Sequence, residues 1–372
     1  MSIGFDLKGR ARQRTRLAWL AAPLAVLLLA SACGDDDDDD ATGQSTQDGG
    51  AAGDEALSGT LRLGYFPNVT HAPALIGIQE KIFEDALGGD VDVEYVPFNA
   101  GGEAVEALFA DAIDASFVGP NPAINGFAQS DGDALRIVAG TTSGGAALVV
   151  SDDIQSPEDL AGKTLATPAL GNTQDVALRA WLKDQGYETD TSGGGDVAIV
   201  NSENPDTLTA FQDGDIAGAW LPEPWATRLQ LEGGGHVLVD EADLWPDGEF
   251  VTTHLIVATP YLEENGPIVK ALVGGLLDSI ELANAEDPTQ AQTDVNDGIE
   301  AATTKRLPDE TIQAAWENLT FTYDPIASSL AKSKDDAVEA GVLDDVDLDG
   351  IYDLTILNEV LTERGEDEVE GL

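Results

Sequence analysis

Short apolar runs alternate with helical runs from residue 61 to residue 258, and this alternation constrains the fold more than any other feature of the 372 residues. In the first series the apolar runs cover 61–65, 91–96, 115–118, 135–139 and 146–150; helical patterning covers 74–83, 102–111 and 123–129. Parallel strands need long crossovers, so such alternation predicts sheets flanked by helices. A second series follows Ser151-Asp152-Asp153. Its strands are expected at 164–166, 197–200, 218–221 and 237–240, and its helices at 176–185 and 205–213. Residues 251–258 read as a return to the first series, which gives two chain crossings. From Pro260 onward the pattern is helical, over 268–285, 287–303, 309–318, 325–340 and 348–364. The expected fold class is α/β, with two lobes, each a mostly parallel sheet flanked by helices. The expected domains are 59–150 (lobe 1, first part), 151–245 (lobe 2), 246–365 (lobe 1, second part, with the C-terminal helices) and a tail, 366–372.

In sheets of this kind ligands bind outside the carboxyl ends of the strands. Small, polar, Gly/Pro-rich segments fall at those ends: 67–71, 119–121 and 143–145 in the first series and 168–175 in the second. The stretch 163–186 carries the fullest signature. Thr164-Leu165-Ala166 is a short strand, Pro168-Ala169-Leu170-Gly171 a turn, Asn172 an N-cap, Asp175 a first-turn acid and Gly186 a stop. A strand turning into a capped helix leaves backbone N–H groups free, and such an end attracts oxyanions without lysine or arginine. Asn172, Thr173 and Gln174 would add side-chain donors. An ordinary strand-to-helix turn has the same pattern.

Other candidates carry paired readings. His71 is a ligand donor or a cap of its own helix. Asn121, held between two prolines, offers donors to a ligand or satisfies a turn. Ser143 with the Gly144 N–H is a second oxyanion cradle or a plain glycine turn. Trp220 and Trp225 flank Pro222-Glu223-Pro224; Trp225 suits the wall of an organic ligand, and Trp220 is expected in the core. Glu223 is unfavourable beside an anion unless something positive faces it. That cation is the amine of a zwitterionic ligand or, as the preferred reading, Arg228 or Arg179.

Residues 1–33 read as an address. Lys8, Arg10, Arg12, Arg14 and Arg16 precede an apolar stretch that ends Leu29-Ala30-Ser31-Ala32-Cys33. This end resembles a bacterial lipobox, with Ala30 where leucine is usual, and implies lipidation of Cys33. Cys33 is the only cysteine, so no internal disulfide forms. Residues 34–58, with Asp35 to Asp40 and then Gly, Ser, Thr and Ala, cannot bury a core and read as an acidic disordered tether of roughly 25–30 Å reach.

The formal net charge is −51, and loss of residues 1–32 would remove five basic residues and one acidic, making it more negative still. Nucleic acid and anionic membrane surfaces are poor partners for such a field. The acidic surface fits a salty habitat, where screening weakens self-repulsion. Asp345-Val346-Asp347-Leu348-Asp349-Gly350 begins like a calcium loop, but Ile356 stands where the twelfth ligand belongs. His71, His236 and His254 are far apart. No metal, no cofactor and no catalytic residue is expected.

Five segments in order resemble the nitrate/sulfonate/taurine group of substrate-binding lipoproteins of ABC importers, most closely the aliphatic-sulfonate binders. They are Gly64-Tyr65-Phe66-Pro67-Asn68 with Thr70-His71-Ala72-Pro73-Ala74, Val118-Gly119-Pro120-Asn121-Pro122-Ala123, Ser143-Gly144-Gly145-Ala146, Gly171-Asn172-Thr173-Gln174-Asp175, and Ala219-Trp220-Leu221-Pro222-Glu223-Pro224-Trp225. The resemblance implies a type II periplasmic-binding-protein fold. It implies an extracytoplasmic, lipid-anchored monomer that closes on a small anion or zwitterion and docks on a permease with its ATPase. It adds Asn68 and Gly171 to the site residues. Nitrate or bicarbonate, a thiamine- or riboflavin-type heterocycle precursor, and a synthase on the same scaffold stay open as alternatives.

Overall fold

The computed structural model describes residues 57–372; the expected leader, Cys33 and all but the last two residues of the tether lie outside the described residues. The chain begins β1 (Gly59–Tyr65), α1 (Ala72–Gln79), α2 (Ile82–Leu87), β2 (Val91–Pro97), α3 (Gly101–Phe109), β3 (Ala115–Val118), α4 (Pro120–Gln129), β4 (Leu135–Gly144). It continues β5 (Ala146–Val150), β6 (Thr164–Thr167), α5 (Thr173–Asp184), β7 (Ala198–Asn201), α6 (Asn204–Asp213), β8 (Gly218–Pro222), α7 (Trp225–Leu231), β9 (His236–Asp240). The remainder is β10 (Val251–Ala258), α8 (Thr259–Glu264), α9 (Gly266–Ala283), α10 (Thr289–Thr303), α11 (Asp309–Trp316), β11 (Leu319–Phe321), α12 (Ala327–Glu339) and α13 (Thr355–Arg364).

Two sheets result, in the orders β11-β4-β10-β3-β1-β2 and β7-β6-β8-β5-β9. Both are mixed rather than mostly parallel. In the larger sheet β1 pairs in parallel with β2 and β3, whereas β10 runs antiparallel to β3 and β4. In the smaller, β6 is parallel to β7 and β8, and β5 is antiparallel to β8 and β9. The short edge strand β11 is reversed against β4, and the two reversed interior strands, β5 and β10, are the first laid down after each change of sheet. The chain arrives from the other lobe and inserts them between existing or future neighbours, so periodicity within either strand cannot reveal their direction.

The first crossing lies between Gly144 and Ala146, so 146–150 belongs to the second sheet and not, as expected, to the first lobe. Both linking glycines are left-handed, Gly144 at φ 80° and Gly145 at φ 74°, a region closed to most side chains. Residues 348–354 are not helical; α13 starts at Thr355, and Ile351 instead bonds to Ile137 beside β4. The first expected helix is divided in two at Lys81, which is also left-handed.

Each sheet is buried on both faces. Leu61, Leu63, Ala115 and Phe117 point into a core shared with α1 and α9, while Val118, Ile137 and Ile256 face α3 and α4. Leu165 and Trp220 pack with α5 on one side of the smaller sheet; Ala166, Ala219 and Leu221 pack with α6 and α7 on the other. Burying one such aliphatic side chain contributes about 1.5–3 kcal/mol.

The carboxyl ends of β1 and β3 meet those of β6 and β8, and the lobes are shut on each other. A Cβ on Gly119 would lie 2.6 Å from Thr173 Oγ1. Asn125 Nδ2 donates to the Gly171 carbonyl at 3.1 Å, and Lys183 pairs with Glu339 at 2.5 Å.

Candidate functional site

Where the strand ends meet they border a cavity of about 50 Å³. Its wall takes Phe66, Asn68, Thr70 and His71 from the β1–α1 turn and Asn172, Thr173 and Gln174 from the start of α5. It also takes the starts of α3 (Ala100, Gly101), α4 (Gly119) and α6 (Asn204). Five helices therefore begin at one cavity. A helix N-terminus carries roughly half a positive charge and N–H groups without helical partners, although at α1 the His71 and Ala72 N–H groups are taken by the preceding turn and Pro73 has none. Among the described residues no lysine, arginine or carboxylate lines the cavity. Positive potential with no mobile cation is what an anion site of low dielectric requires.

The α5 terminus is built from its own sequence. Asn172 Oδ1 accepts from the Asp175 N–H at 2.9 Å, the expected N-cap. Asp175 does more than complement the dipole. Its carboxylate is fully buried, pairs with Arg179 Nε at 2.8 Å, and accepts from Thr167 Oγ1 and from the Gly171 N–H. This fastens the turn and leaves the N–H groups of Thr173 and Gln174 without a capping partner.

His71 is buried and stacked on Phe66 at 4.4 Å between ring centres. The Phe66 N–H donates to its Nδ1 at 3.4 Å, which puts the ring proton on Nε2. Burial lowers its pKa to about 3, so the ring is a neutral donor near neutrality. Thr253 Oγ1 donates to the Thr70 carbonyl at 3.0 Å and ties the same turn to β10.

The other expected residues are placed elsewhere. Gly171 is outside the wall: its N–H is bound by Asp175 and its carbonyl by Asn125. Asn121 turns its amide to the Ser333 carbonyl at 3.2 Å. Ser143 and Gly144 line a different depression; the Gly144 N–H donates to the Phe250 carbonyl and Ser143 Oγ accepts from the Phe250 N–H, so neither is free as a cradle. Trp220 lies in the core, as expected, with Nε1 donating to Glu241 at 2.7 Å.

Glu223 corrects the preferred reading, because neither arginine reaches it. Arg228 pairs with Glu232 and Arg179 with Asp175. The Glu223 carboxyl is 2 % exposed and accepts from Thr227 Oγ1 (2.9 Å), the Thr227 N–H (3.1 Å) and Asn318 Nδ2 (2.8 Å). Burial raises its pKa to about 7 against the opposing pull of these hydrogen bonds. It does not line the cavity.

Beside the small cavity lies a depression of about 400 Å³. Trp225 lines it and donates from Nε1 to Asn68 Oδ1 at 3.0 Å. Arg228 lies over the Trp225 ring at 4.3 Å.

A family model described as the NMT1-like family matches residues 54–295. The chain belongs to the NMT1-like family. It is 30% identical over 224 residues to the taurine-binding periplasmic protein of Escherichia coli (strain K12), a match covering 60% of this chain and 65%, just under two thirds, of that relative. The alkanesulfonate-binding protein of Xanthomonas axonopodis pv. citri, solved with MOPS bound, superposes with a TM-score of 0.63 at 19% identity over 78% of this chain and 96% of that one. The periplasmic nitrate-binding protein of Synechocystis PCC 6803 does so with a TM-score of 0.68 at 16% identity, over 82% and 89%. At these identities the two structures show the fold.

This NMT1-like chain also brings to the cavity residues that sequence reasoning did not single out: Asn99, Ala100 and Gly101, Asn204, and Thr252 with Thr253. Two of these groups were detectable. Asn99-Ala100-Gly101 ends a strand and opens a helix, and Asn204-Pro205-Asp206 has the composition of a helix start. Thr252 and Thr253 carry no such signal, since they sit inside a strand whose approach to the cavity is set by its pairing with β3 and β4.

Proposed function

We propose that this chain is the solute-binding component of an ABC importer and that it holds a small organic anion, an aliphatic sulfonate of taurine size, in the 50 Å³ cavity. One observation carries the reading: five helices start at the rim of a cavity whose wall, among the described residues, holds no charged side chain. A sulfonate has three acceptor oxygens and stays ionised at every physiological pH, so unpaired N–H donors and a neutral His71 are sufficient partners. Asn68, His71, Asn172, Thr173 and Gln174 bind it; Gly171, Asn121, Ser143, Gly144 and Glu223 shape the turns and the junction behind them. Trp225 positions Asn68.

The protein is exported and works outside the cytoplasm as a monomer, held to the membrane by lipid on Cys33 through the acidic tether. Its acidic surface suits high salt; a denaturant midpoint that does not rise between low and molar salt would remove that part. For the site, replacing Asn172 and Thr173 together by alanine should weaken taurine or ethanesulfonate binding by tens of fold in titration calorimetry, with the far-UV spectrum unchanged. Wild-type affinity in that variant would falsify the site.

A further inference from the structure

The small cavity and the larger depression share Asn68, Asn99 and Asn204 in their walls. Two further depressions border the lobe junction, one at Asn125 and Leu170, the other at Ser143 and Asn318. Neither shares a wall residue with the cavity. The three also differ in charge. The first of the two carries Asp131, Asp344 and Asp345, and the second Asp240, Asp247, Glu249, Glu317 and Asp324. Among the described residues no lysine or arginine lines either. The depression beside the cavity instead balances Glu203 and Glu232 with Arg228 and Lys305. On a chain of formal net charge −51, a balanced mouth is where a free anion is repelled least.

Lys305 is the part of that balance that no acid has claimed. Arg228 is paired with Glu232. Among the described residues every lysine and arginine is in an ion pair except Lys81, Arg136 and Lys305. Arg136 is turned to the carbonyls of Gly132 and Leu135, and Lys81 lies outside the depression. The carboxylates of Asp297, Glu300 and Asp309, near Lys305 in sequence, are all taken by Arg306. The Lys305 side chain is exposed. The backbone that presents it is strained: Thr304 ends α10 at φ 62°, a left-handed conformation that a β-branched residue rarely adopts. Thr303 Oγ1 holds the turn by accepting from the Lys305 N–H at 3.3 Å.

We propose that the 400 Å³ depression is the entrance by which an anion reaches the cavity, and that Lys305 is its steering residue, drawing the anion in without touching it once bound. Lys305 does not line the cavity. The proposal rests on the sulfonate reading above and adds the approach to it. The cavity sets how tightly the anion is held, and a charge at the rim sets how fast it arrives. Such a charge reaches about 30 Å at 0.01 M salt and about 3 Å at 1 M. In strong salt the repulsion that Lys305 offsets is screened as well, so its contribution falls together with the need for it.

The test is stopped-flow mixing read by tryptophan fluorescence, since Trp225 lines the depression and bonds to Asn68 of the cavity wall. The probes are ethanesulfonate, a net anion, and taurine, whose ammonium cancels its charge. In about 10 mM salt, Lys305→Gln should slow ethanesulfonate association by about three- to tenfold. Its dissociation rate and the association of taurine should stay within about twofold of wild type, and the ethanesulfonate difference should vanish in about 1 M NaCl. Lys81→Gln makes the same change in net charge away from the depression and should associate as wild type does. An unchanged ethanesulfonate rate in Lys305→Gln at low salt overturns the proposal. So does an equal slowing in Lys81→Gln, which would make net charge and not position the cause, or a change confined to dissociation, which would put Lys305 in the bound complex. Each of these leaves the sulfonate reading intact; wild-type protein that binds neither probe removes both.

Discussion

Two strand-to-helix turns of the second lobe each bury a carboxylate, and they treat it in opposite ways. After β6, Asp175 meets a guanidinium: Arg179 lies one helical turn on, and both side chains are almost wholly buried. After β8, Glu223 meets only neutral donors from Thr227 and from Asn318, which is 95 residues away. The first carboxylate is compensated locally and holds a turn whose outer N–H groups face the cavity. The second depends on a segment of the other lobe, so it reports on the junction between lobes. Buried charges are tolerated by pairing or by loss of charge, and this molecule uses one device at each turn.

The comparison breaks most visibly at Arg179. Arg179→Met removes the cation that pairs with the buried Asp175 carboxyl, and should cost about 3–5 kcal/mol in denaturant unfolding. A loss under 1 kcal/mol would mean that Thr167, Asn201 and the Gly171 N–H suffice, and the two turns would then be alike.

A smaller effect sharpens it at Glu223. Its folded pKa, about 7, lies above the ordinary 4.5. The folded state therefore keeps a proton that the unfolded chain releases, and stability is lost as pH rises from 4.5 to 7, by about 3 kcal/mol at most. His71 and His254, lowered to about 3 and about 4 by burial, slope the other way, losing stability as pH falls below 6.5. The difference between Glu223→Gln and wild type isolates the glutamate. The variant should gain on wild type as pH rises from 5 to 7.5 and hold that gain above. A pH-independent difference would show that Glu223 is ionised throughout, as a charge-paired group would be.

Local chemistry was legible in the sequence, and long-range pairing was not. The Asn172 cap, the 251–258 strand and the strand-end position of 172–174 all follow from residues within a few positions of one another. The partner of Glu223 did not, because nothing at 223 points to Asn318; both nearby arginines were plausible and both are engaged by closer acids. The same holds for the sheets. Alternation of strand and helix identified the elements, but the reversed direction of β5 and β10 follows from where the chain crosses, which no pattern inside those strands records. Residues 348–354 look amphipathic, yet they bond along the edge of β4. Ser143-Gly144-Gly145 looked like an anion cradle because glycine-rich turns at a strand end often are; here the glycines serve the crossing.

That crossing has a mechanical consequence. The path from one sheet to the other is a single residue long, and a Cβ at either glycine would strike the start of β11: 2.8 Å from the Asn318 carbonyl oxygen at 144, 2.1 Å from Leu319 at 145. A pivot with no slack cannot absorb torsion. The halves are joined again by the longer stretch between Asp240 and Val251, so the short crossing is the tight link of the two, and any side chain placed on it would press against β11.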